Sequence, residues 1–167
     1  KKSIRAVLNT LEIQVESVEK QIDTLIADND DWKQKSELIQ SVPGVGKHTA
    51  ATLIADLPEL GQLNRQEIAA LVGVAPYNHD SGQATGARSN FGGRATVRSM
   101  LSMAALSAKR FNCVIERFAN RLRAGGPDRA AKKPKVVTVA CMRKLLVILN
   151  TMVKNNTPWN PKLASVQ

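Results

Sequence analysis

The sequence predicts an all-α fold, and three observations support this prediction. Of the 167 residues, 43% are hydrophobic but only 4% are aromatic. A core built from Leu, Ile, Val, Ala and Met suits packed helices better than paired sheets. Apolar residues recur at spacings of three and four along most of the chain, which is the helical period, and segments with the alternation of a strand are hard to find.

Residues 1–28 are predicted to form a coiled-coil helix. Seven apolar residues repeat with spacings that alternate between four and three, as in a left-handed coiled coil: Ile4, Leu8, Leu11, Val15, Val18, Ile22 and Leu25. A single helix lying on its own domain is the alternative, but such a helix usually has a wider apolar stripe. The partner helix would come from a second copy, giving a homodimer or homotetramer, or from another part of the protein.

Residues 29–167 are predicted to form one helical domain that contains a helix-hairpin-helix element at about 32–56. The sequence VPGVG at 42–46, followed by a helix of small residues, is typical of that element. Its glycines allow a tight turn, and the free N–H groups that begin the second helix can bind a phosphate. The candidate nucleic-acid contacts are Gly44, Gly46, Lys47, His48 and Thr49. A plain helical hairpin kept for packing is the alternative.

Three further helices are predicted after the hairpin. Asn64 and Glu67 have the spacing of a capping box, and Gly73 is placed to end the helix that they begin. One long helix is expected from Ala95 to Arg123, and a last helix from Val136 to Lys154. The last helix is apolar almost all round, which predicts that it is buried.

The segment 73–94 is the candidate catalytic loop. It contains Ser81 in an Asp-Ser-Gly step, four glycines after that serine, and the arginines Arg88 and Arg94, with Arg98 just beyond. Serine is a nucleophile when it is activated, and arginine matches the oxygens of a phosphodiester. A simple turn is the alternative, because Asp, Ser and Gly are common turn residues.

The charge of the chain is divided unevenly. Residues 1–80 hold eight basic and twelve acidic residues, whereas residues 81–167 hold sixteen basic and two acidic residues. A half with a net charge of +14 indicates a polyanionic partner, and nucleic acid is the leading candidate. Within this half, Lys132, Lys133 and Lys135 are candidate phosphate contacts, with solvated surface charge as the alternative.

No membrane partner is expected. The longest apolar stretch, 136–153, is interrupted by Arg143 and Lys144, and no segment has the pattern of a signal peptide. Cys113 and Cys141 are isolated and lack metal-ligand spacing, which is consistent with free thiols in a reducing compartment. These observations predict a cytoplasmic protein.

Four motifs, taken in order, closely resemble the C-terminal half of the Piv/MooV-type DNA recombinases. They are the coiled coil, the VPGVG hairpin, the GVAP and DSG pair, and the GGRATVR sequence that opens a long helix. These recombinases are transposases of bacterial insertion elements that are guided by a bridge RNA. The resemblance covers about 39–161. It implies that Ser81 becomes covalently attached to DNA and that Gly92, Gly93, Arg94 and Arg98 form the family's Gly/Arg segment.

The resemblance also implies partners and a cofactor. The family pairs this domain with an N-terminal RuvC-like domain whose acidic tetrad binds Mg²⁺, and that domain is expected to lie outside this chain. No metal or cofactor site is therefore expected in 1–167, and the chain is interpreted as a fragment that binds DNA and a structured guide RNA. His79 is a weak candidate for a base, which is more readily expected on the missing domain.

Two other function classes stay open on the sequence alone. The chain is alternatively a non-catalytic helix-hairpin-helix module of a larger nuclease or helicase, which would tolerate replacement of Ser81. The third possibility is a structural adaptor assembled by its coiled coil. It is the weakest of the three, because the net charge of +14 in residues 81–167 indicates a polyanionic partner.

Overall fold

The computed structural model describes residues 2–76, 90, 92–127 and 129–164, and these residues form eight α-helices without a β-strand. This confirms the predicted all-α fold. The helices are α1 (Lys2–Ala27), α2 (Asp30–Gln40), α3 (Lys47–Asp56), α4 (Arg65–Val72), α5 (Ala95–Phe111), α6 (Cys113–Ala124), α7 (Pro134–Asn155) and α8 (Pro161–Ala164).

Helix α7 is the centre of the domain and packs against α2, α4, α5 and α6. It is the one described helix whose length and composition would allow a membrane span, even though it includes Arg143 and Lys144. Half of its most apolar stretch is buried by the surrounding helices, as in the core helix of a folded domain. Burial also raises the pKa of the Cys141 thiol on this helix.

A buried amide fixes the connection between α3 and α4 onto α7. The Asn150 side chain accepts a hydrogen bond from the Gly61 N–H at 2.8 Å and donates one to the Leu63 carbonyl at 2.9 Å. Asn150 is only 4% exposed, so both of its polar ends have protein partners where water is largely excluded. This pair of bonds holds the start of α4 in place.

The ends of α4 agree with the sequence. Asn64 accepts hydrogen bonds from the N–H groups of Gln66 and Glu67, and the Glu67 carboxylate accepts one from the Asn64 N–H, which completes the capping box. Gly73 ends the helix in the left-handed conformation, with a φ of 76°. Both predictions for this helix are confirmed.

The single long helix predicted from Ala95 to Arg123 is wrong. The chain leaves helical geometry at Asn112, whose side-chain oxygen accepts from the Val114 and Ile115 N–H groups and caps a new helix. Asparagine favours such caps because its short side chain satisfies N–H groups that the helix leaves free. Phe111, the last residue of α5 before the break, is 70% exposed.

Helix α1 exposes the apolar seam that the sequence predicts. All seven seam residues lie at the surface of the single chain, with exposed fractions from 37% at Ile22 to 66% at Ile4. The helix contacts the domain through α2 and through ion pairs with α3. The coiled coil itself stays a prediction, because its partner would be a further helix.

Candidate nucleic-acid interface

The two ends of the predicted catalytic loop meet where α4 ends and α5 begins. Gly73 lies directly against Gly92 and Gly93, and these three glycines have φ values of 76°, 69° and 75°. A Cβ on Gly73 would overlap the Gly92 carbonyl oxygen, and a Cβ on Gly93 would overlap the backbone of Val72 and Gly73. Glycine is therefore required at both positions by its conformation and by the close approach of the two backbones.

Arg94 holds the second end of the loop onto the connection after α3. Its guanidinium donates two hydrogen bonds to the Glu59 carboxylate, each 2.5 Å long, and a third to the Asp56 carbonyl at 2.8 Å. This forked pairing lowers the pKa of Glu59 and raises the pKa of Arg94, because the hydrogen bonds favour both charged forms. The Arg94 N–H also donates to the Leu71 carbonyl of α4.

Arg98 joins the two ends of the loop to each other. Its Nη1 donates to the carbonyls of Gly92 and Val72, which lie on opposite ends of the segment. We call this group the loop anchor; it consists of Val72, Gly73, Gly92, Gly93, Arg94 and Arg98. The sequence predicted Arg94 and Arg98 as nucleic-acid contacts. In the structure Arg94 binds Glu59 and a backbone carbonyl, and Arg98 binds two backbone carbonyls. Both guanidiniums therefore help to close the loop.

Ser81, which carries the predicted chemistry, lies outside the described residues, as do Arg88 and His79. Their predicted roles stay predictions. The anchor nevertheless fixes where the loop that contains them leaves and rejoins the helical domain.

The hairpin between α2 and α3 separates its candidate residues into different surroundings. Gly44 lies against α5, where an added Cβ would be 2.7 Å from the Ala108 Cα, and Thr49 is buried. Gly46 begins α3 and has no side chain to cap the first turn, so those N–H groups have no side-chain acceptor. This helix start is consistent with the predicted phosphate contact.

Lys47 and His48 face acidic residues of α1. Lys47 Nζ lies 3.3 Å from Glu19 Oε2 and 3.4 Å from Asp23 Oδ2, and His48 Nε2 lies 3.3 Å from Glu19 Oε1. The hydrogen bond with Glu19 raises the pKa of Lys47, and Asp23 adds to the effect. These contacts position α1 beside α3. Because they are exposed, each of them is weak, and both basic side chains stay near solvent.

The three lysines predicted in the basic loop are exposed. Lys132 and Lys133 precede α7 and Lys135 lies in its first turn, and the described residues place no carboxylate in an ion pair with them. The Lys132 N–H donates to the Leu122 carbonyl, which holds the loop against the end of α6. Their side chains are therefore accessible to a polyanion.

Sequence reasoning missed a second group of cations. Arg65 of α4, Arg121 of α6, and Arg143 and Lys144 of α7 surround one cavity beside Phe118. Because they come from three separate helices, no local spacing connects them. The only signal in the sequence was the pair Arg143-Lys144, which interrupts an otherwise apolar helix.

A metal site is not found in the part of the chain that the structure describes, where no three His, Cys, Asp or Glu side chains form a cluster that could hold an ion. The predicted Mg²⁺ site was assigned to a different domain.

Comparison with known sequences defines the class of protein. Residues 36–120 match the transposase family described as IS116/IS110/IS902. The match covers half of the chain, and the chain therefore belongs to this family.

Two relatives are pilin gene-inverting proteins, one from Moraxella bovis and one from Moraxella lacunata. Each is 27% identical to this chain over 154 residues, covering 89% of this chain and 46% of the relative. The chain spans about half the length of the curated relatives that it matches.

Proposed function

We propose that this chain supplies the serine nucleophile, Ser81, for DNA strand cleavage and exchange in a recombinase of its family. Membership of the transposase family and similarity to two gene-inverting proteins support DNA as the substrate. The observation that carries the proposal is the loop anchor, which fixes both ends of the segment containing Ser81 between α4 and α5. A nucleophile on a segment with fixed ends is held near one region of the domain, which favours reaction with a bound strand.

The proposed chemistry is a transesterification at phosphorus. The Ser81 Oγ attacks a DNA phosphodiester, a P–O bond to a deoxyribose oxygen breaks, and that oxygen takes up the proton that a base has removed from the serine. The serine proton passes to a base, which the family resemblance assigns to the metal-binding domain. The product is a phosphoserine link, and attack on it by a hydroxyl of another strand restores Ser81 and completes exchange. Such transfer depends mainly on positioning and on stabilisation of charge.

Arg94 and Arg98 act as positioning residues in this proposal. Their guanidiniums bind Glu59 and the carbonyls of the loop ends, so they hold the segment that presents Ser81. The exposed lysines before α7 and the uncapped start of α3 are the proposed contacts to DNA phosphates. Arg88 is a further proposed contact on the loop itself.

The remaining parts of the proposal concern partners and domains. The chain binds a structured guide RNA as well as DNA, forms a dimer or tetramer through residues 1–28, and works in the bacterial cytoplasm. Mg²⁺ would be held by an acidic domain outside this chain and would stabilise charge on the phosphate when bound. Residues 29–167 form the transposase domain in this scheme.

The test is replacement of Ser81 by Ala in the recombinase assembled with its metal-binding domain and guide RNA. We expect strand exchange and the denaturant-stable protein–DNA adduct to be lost, while nucleic-acid affinity and the unfolding midpoint stay unchanged. Ser89→Ala is the matched control, because that serine lies in the same segment. An adduct formed by the Ser81→Ala protein at the parental rate contradicts the proposal and points to Ser89. Strand exchange at the parental rate with no adduct on this chain would instead favour the non-catalytic binding module.

A further inference from the structure

A cavity of about 390 Å³ lies between α4, α6 and α7, on a part of the domain built by neither the loop anchor nor the hairpin. We call it the Phe118 cavity, and its lining consists of Arg65, Gln66, Phe118, Arg121, Ala140, Arg143, Lys144 and Val147. These described residues combine apolar side chains with four cations and include no acidic side chain. The volume is within the range of sites that hold a small ligand.

The arginines around this cavity differ in their partners from the cations of the loop anchor and of the hairpin. Arg94 is satisfied by Glu59, and Lys47 by Glu19 and Asp23. For Arg65, Arg121 and Arg143, the described part of the chain provides no ion pair with a carboxylate. Three guanidiniums without internal counterions, gathered around one opening, form a site where an anion gains charge-assisted hydrogen bonds.

The Phe118 ring is the second component of the cavity. The Arg121 guanidinium carbon lies 5.4 Å from the ring centroid, and Lys144 Nζ lies 5.3 Å from it. An aromatic ring beside a planar guanidinium is the kind of surface on which proteins stack an unpaired base. Burial lowers the pKa of Lys144, and the neighbouring charge of Arg121 lowers it further. A bound anion would relieve that repulsion.

We infer that the Phe118 cavity binds one unpaired nucleotide of a nucleic-acid strand. The base enters against Phe118 and Arg121, and the adjoining phosphates contact Arg65 and Arg143. A duplex does not fit this description, because its bases are paired and stacked inside the helix. The inference rests on the proposed function in one respect, namely that the chain binds nucleic acid.

The test uses the whole 167-residue chain and labelled oligonucleotides of equal length as probes: single-stranded RNA, single-stranded DNA and duplex DNA. The double variant Arg65→Ala/Arg143→Ala removes two cations and leaves the contacts around the Phe118 ring in place. Its matched control is Arg5→Ala/Lys33→Ala, which removes the same charge from exposed positions on α1 and α2. Fluorescence anisotropy gives the affinity at several salt concentrations, and thermal unfolding confirms that each variant is folded.

We expect the cavity variant to bind single strands about tenfold more weakly or worse, since each guanidinium loses charge-assisted hydrogen bonds. The slope of log affinity against log salt should become shallower by about 1.4 on single strands, or about 0.7 for each lost phosphate contact. The control variant Arg5→Ala/Lys33→Ala should change both the affinity and the salt slope by less than the cavity variant does. The strand type that loses more affinity identifies RNA or DNA as the source of the nucleotide.

Phe118→Leu tests the base separately while retaining an apolar side chain. It should weaken binding to a single strand about fivefold or more, because base stacking on an aromatic ring is lost. A strand of abasic nucleotides should bind the parent and Phe118→Leu equally.

Three results would overturn the inference. They are equal losses in the cavity and control variants, an equal loss on duplex DNA, and a Phe118→Leu effect that persists on the abasic strand. Because the parent chain would still bind its probes in each case, these results leave the proposed function intact. Failure of the parent to bind any probe would instead count against both proposals.

Discussion

Gly93 lies where the two ends of the proposed catalytic segment meet. Its φ of 75° disfavours any side chain, and a Cβ would overlap the backbone of Val72 and Gly73. Gly92 has a similar φ of 69°, but a Cβ there would meet nothing within 4 Å. Substitution of Gly92 therefore measures the cost of the backbone conformation alone. Substitution of Gly93 measures that cost together with the cost of steric overlap.

We predict that Gly93→Ala lowers the free energy of unfolding by about 3 kcal/mol and that Gly92→Ala lowers it by about 1 kcal/mol. Urea denaturation followed by circular dichroism measures both values. In the assembled recombinase, Gly93→Ala should also reduce strand exchange, since the loop ends must separate. Equal destabilisation by the two substitutions would show that the close approach of the backbones contributes nothing.

Single residues also show where sequence reasoning reaches its limit. The capping box at Asn64 and Glu67 was predictable, because all of its groups lie within four residues. The pairing of Arg94 with Glu59 joins positions 35 apart, and no local pattern predicts it. Two of the arginines assigned to nucleic acid, Arg94 and Arg98, consequently have internal partners that only the folded structure reveals.

At the scale of elements, α1 exposes its apolar seam throughout its length. Leu11 lies on that seam and is 55% exposed in the single chain, so a lysine there would not disturb the isolated fold. In a coiled coil, however, the same position is buried against the partner helix, and an unpaired charge in it is costly.

We predict that Leu11→Lys lowers the assembly state of the chain without changing its secondary structure. Gln14→Lys is the control, because it adds the same charge at an exposed polar position of the same helix. Sedimentation velocity distinguishes the two variants. An unchanged sedimentation coefficient for Leu11→Lys would show that the seam does not join copies of this chain.

Helix periodicity correctly predicted the helical class but not the break at Asn112. The apolar stripe continues across that residue, so the pattern alone supports one helix. Asn112 ends α5 because its side chain caps α6, and its own side chain is 1% exposed. An asparagine within an apolar stripe was the only sign of the break, and the same residue occurs in helix interiors, as Asn150 does in α7.

The Phe118 cavity also could not be predicted from local sequence patterns, because it forms between helices. Its residues come from α4, α6 and α7, and each helix shows one or two basic positions that look like ordinary solvated charge. Only the packing of the three helices brings these positions around Phe118. The charge imbalance predicted a polyanionic partner, but it could not indicate which of the many cations lack internal counterions.

For the whole molecule, the divided charge predicts salt-dependent binding of nucleic acid. Residues 81–167 have a net charge of +14, and their exposed lysines before α7 have no counterions among the described residues. Each phosphate contact releases a counterion, so affinity for duplex DNA falls with salt by a log–log slope of about −0.9 per contact.

We predict that replacing Lys132, Lys133 and Lys135 by Ala makes this slope shallower by about 2.7 on duplex DNA, if each lysine contacts one phosphate. The control replaces Arg5, Lys20 and Lys33, which are exposed on α1 and α2. Anisotropy titrations at several salt concentrations give both slopes. A parental slope near zero would refute phosphate-driven binding, and equal slopes for the two variants would remove the basic loop from the interface.

The loop anchor has one more consequence, which concerns the length of the chain between its two ends. Because α4 and α5 are joined at Gly73 and Gly92, the segment 74–91 closes a loop whose ends stay together whatever its length. The entropy of closing a flexible loop grows slowly, by about 0.6 kcal/mol for each doubling of its length. Changes in chain length beyond the buried Val74 therefore cost the helical domain little in closure entropy, and the proposed catalytic segment can differ in length while the scaffold that presents it is preserved.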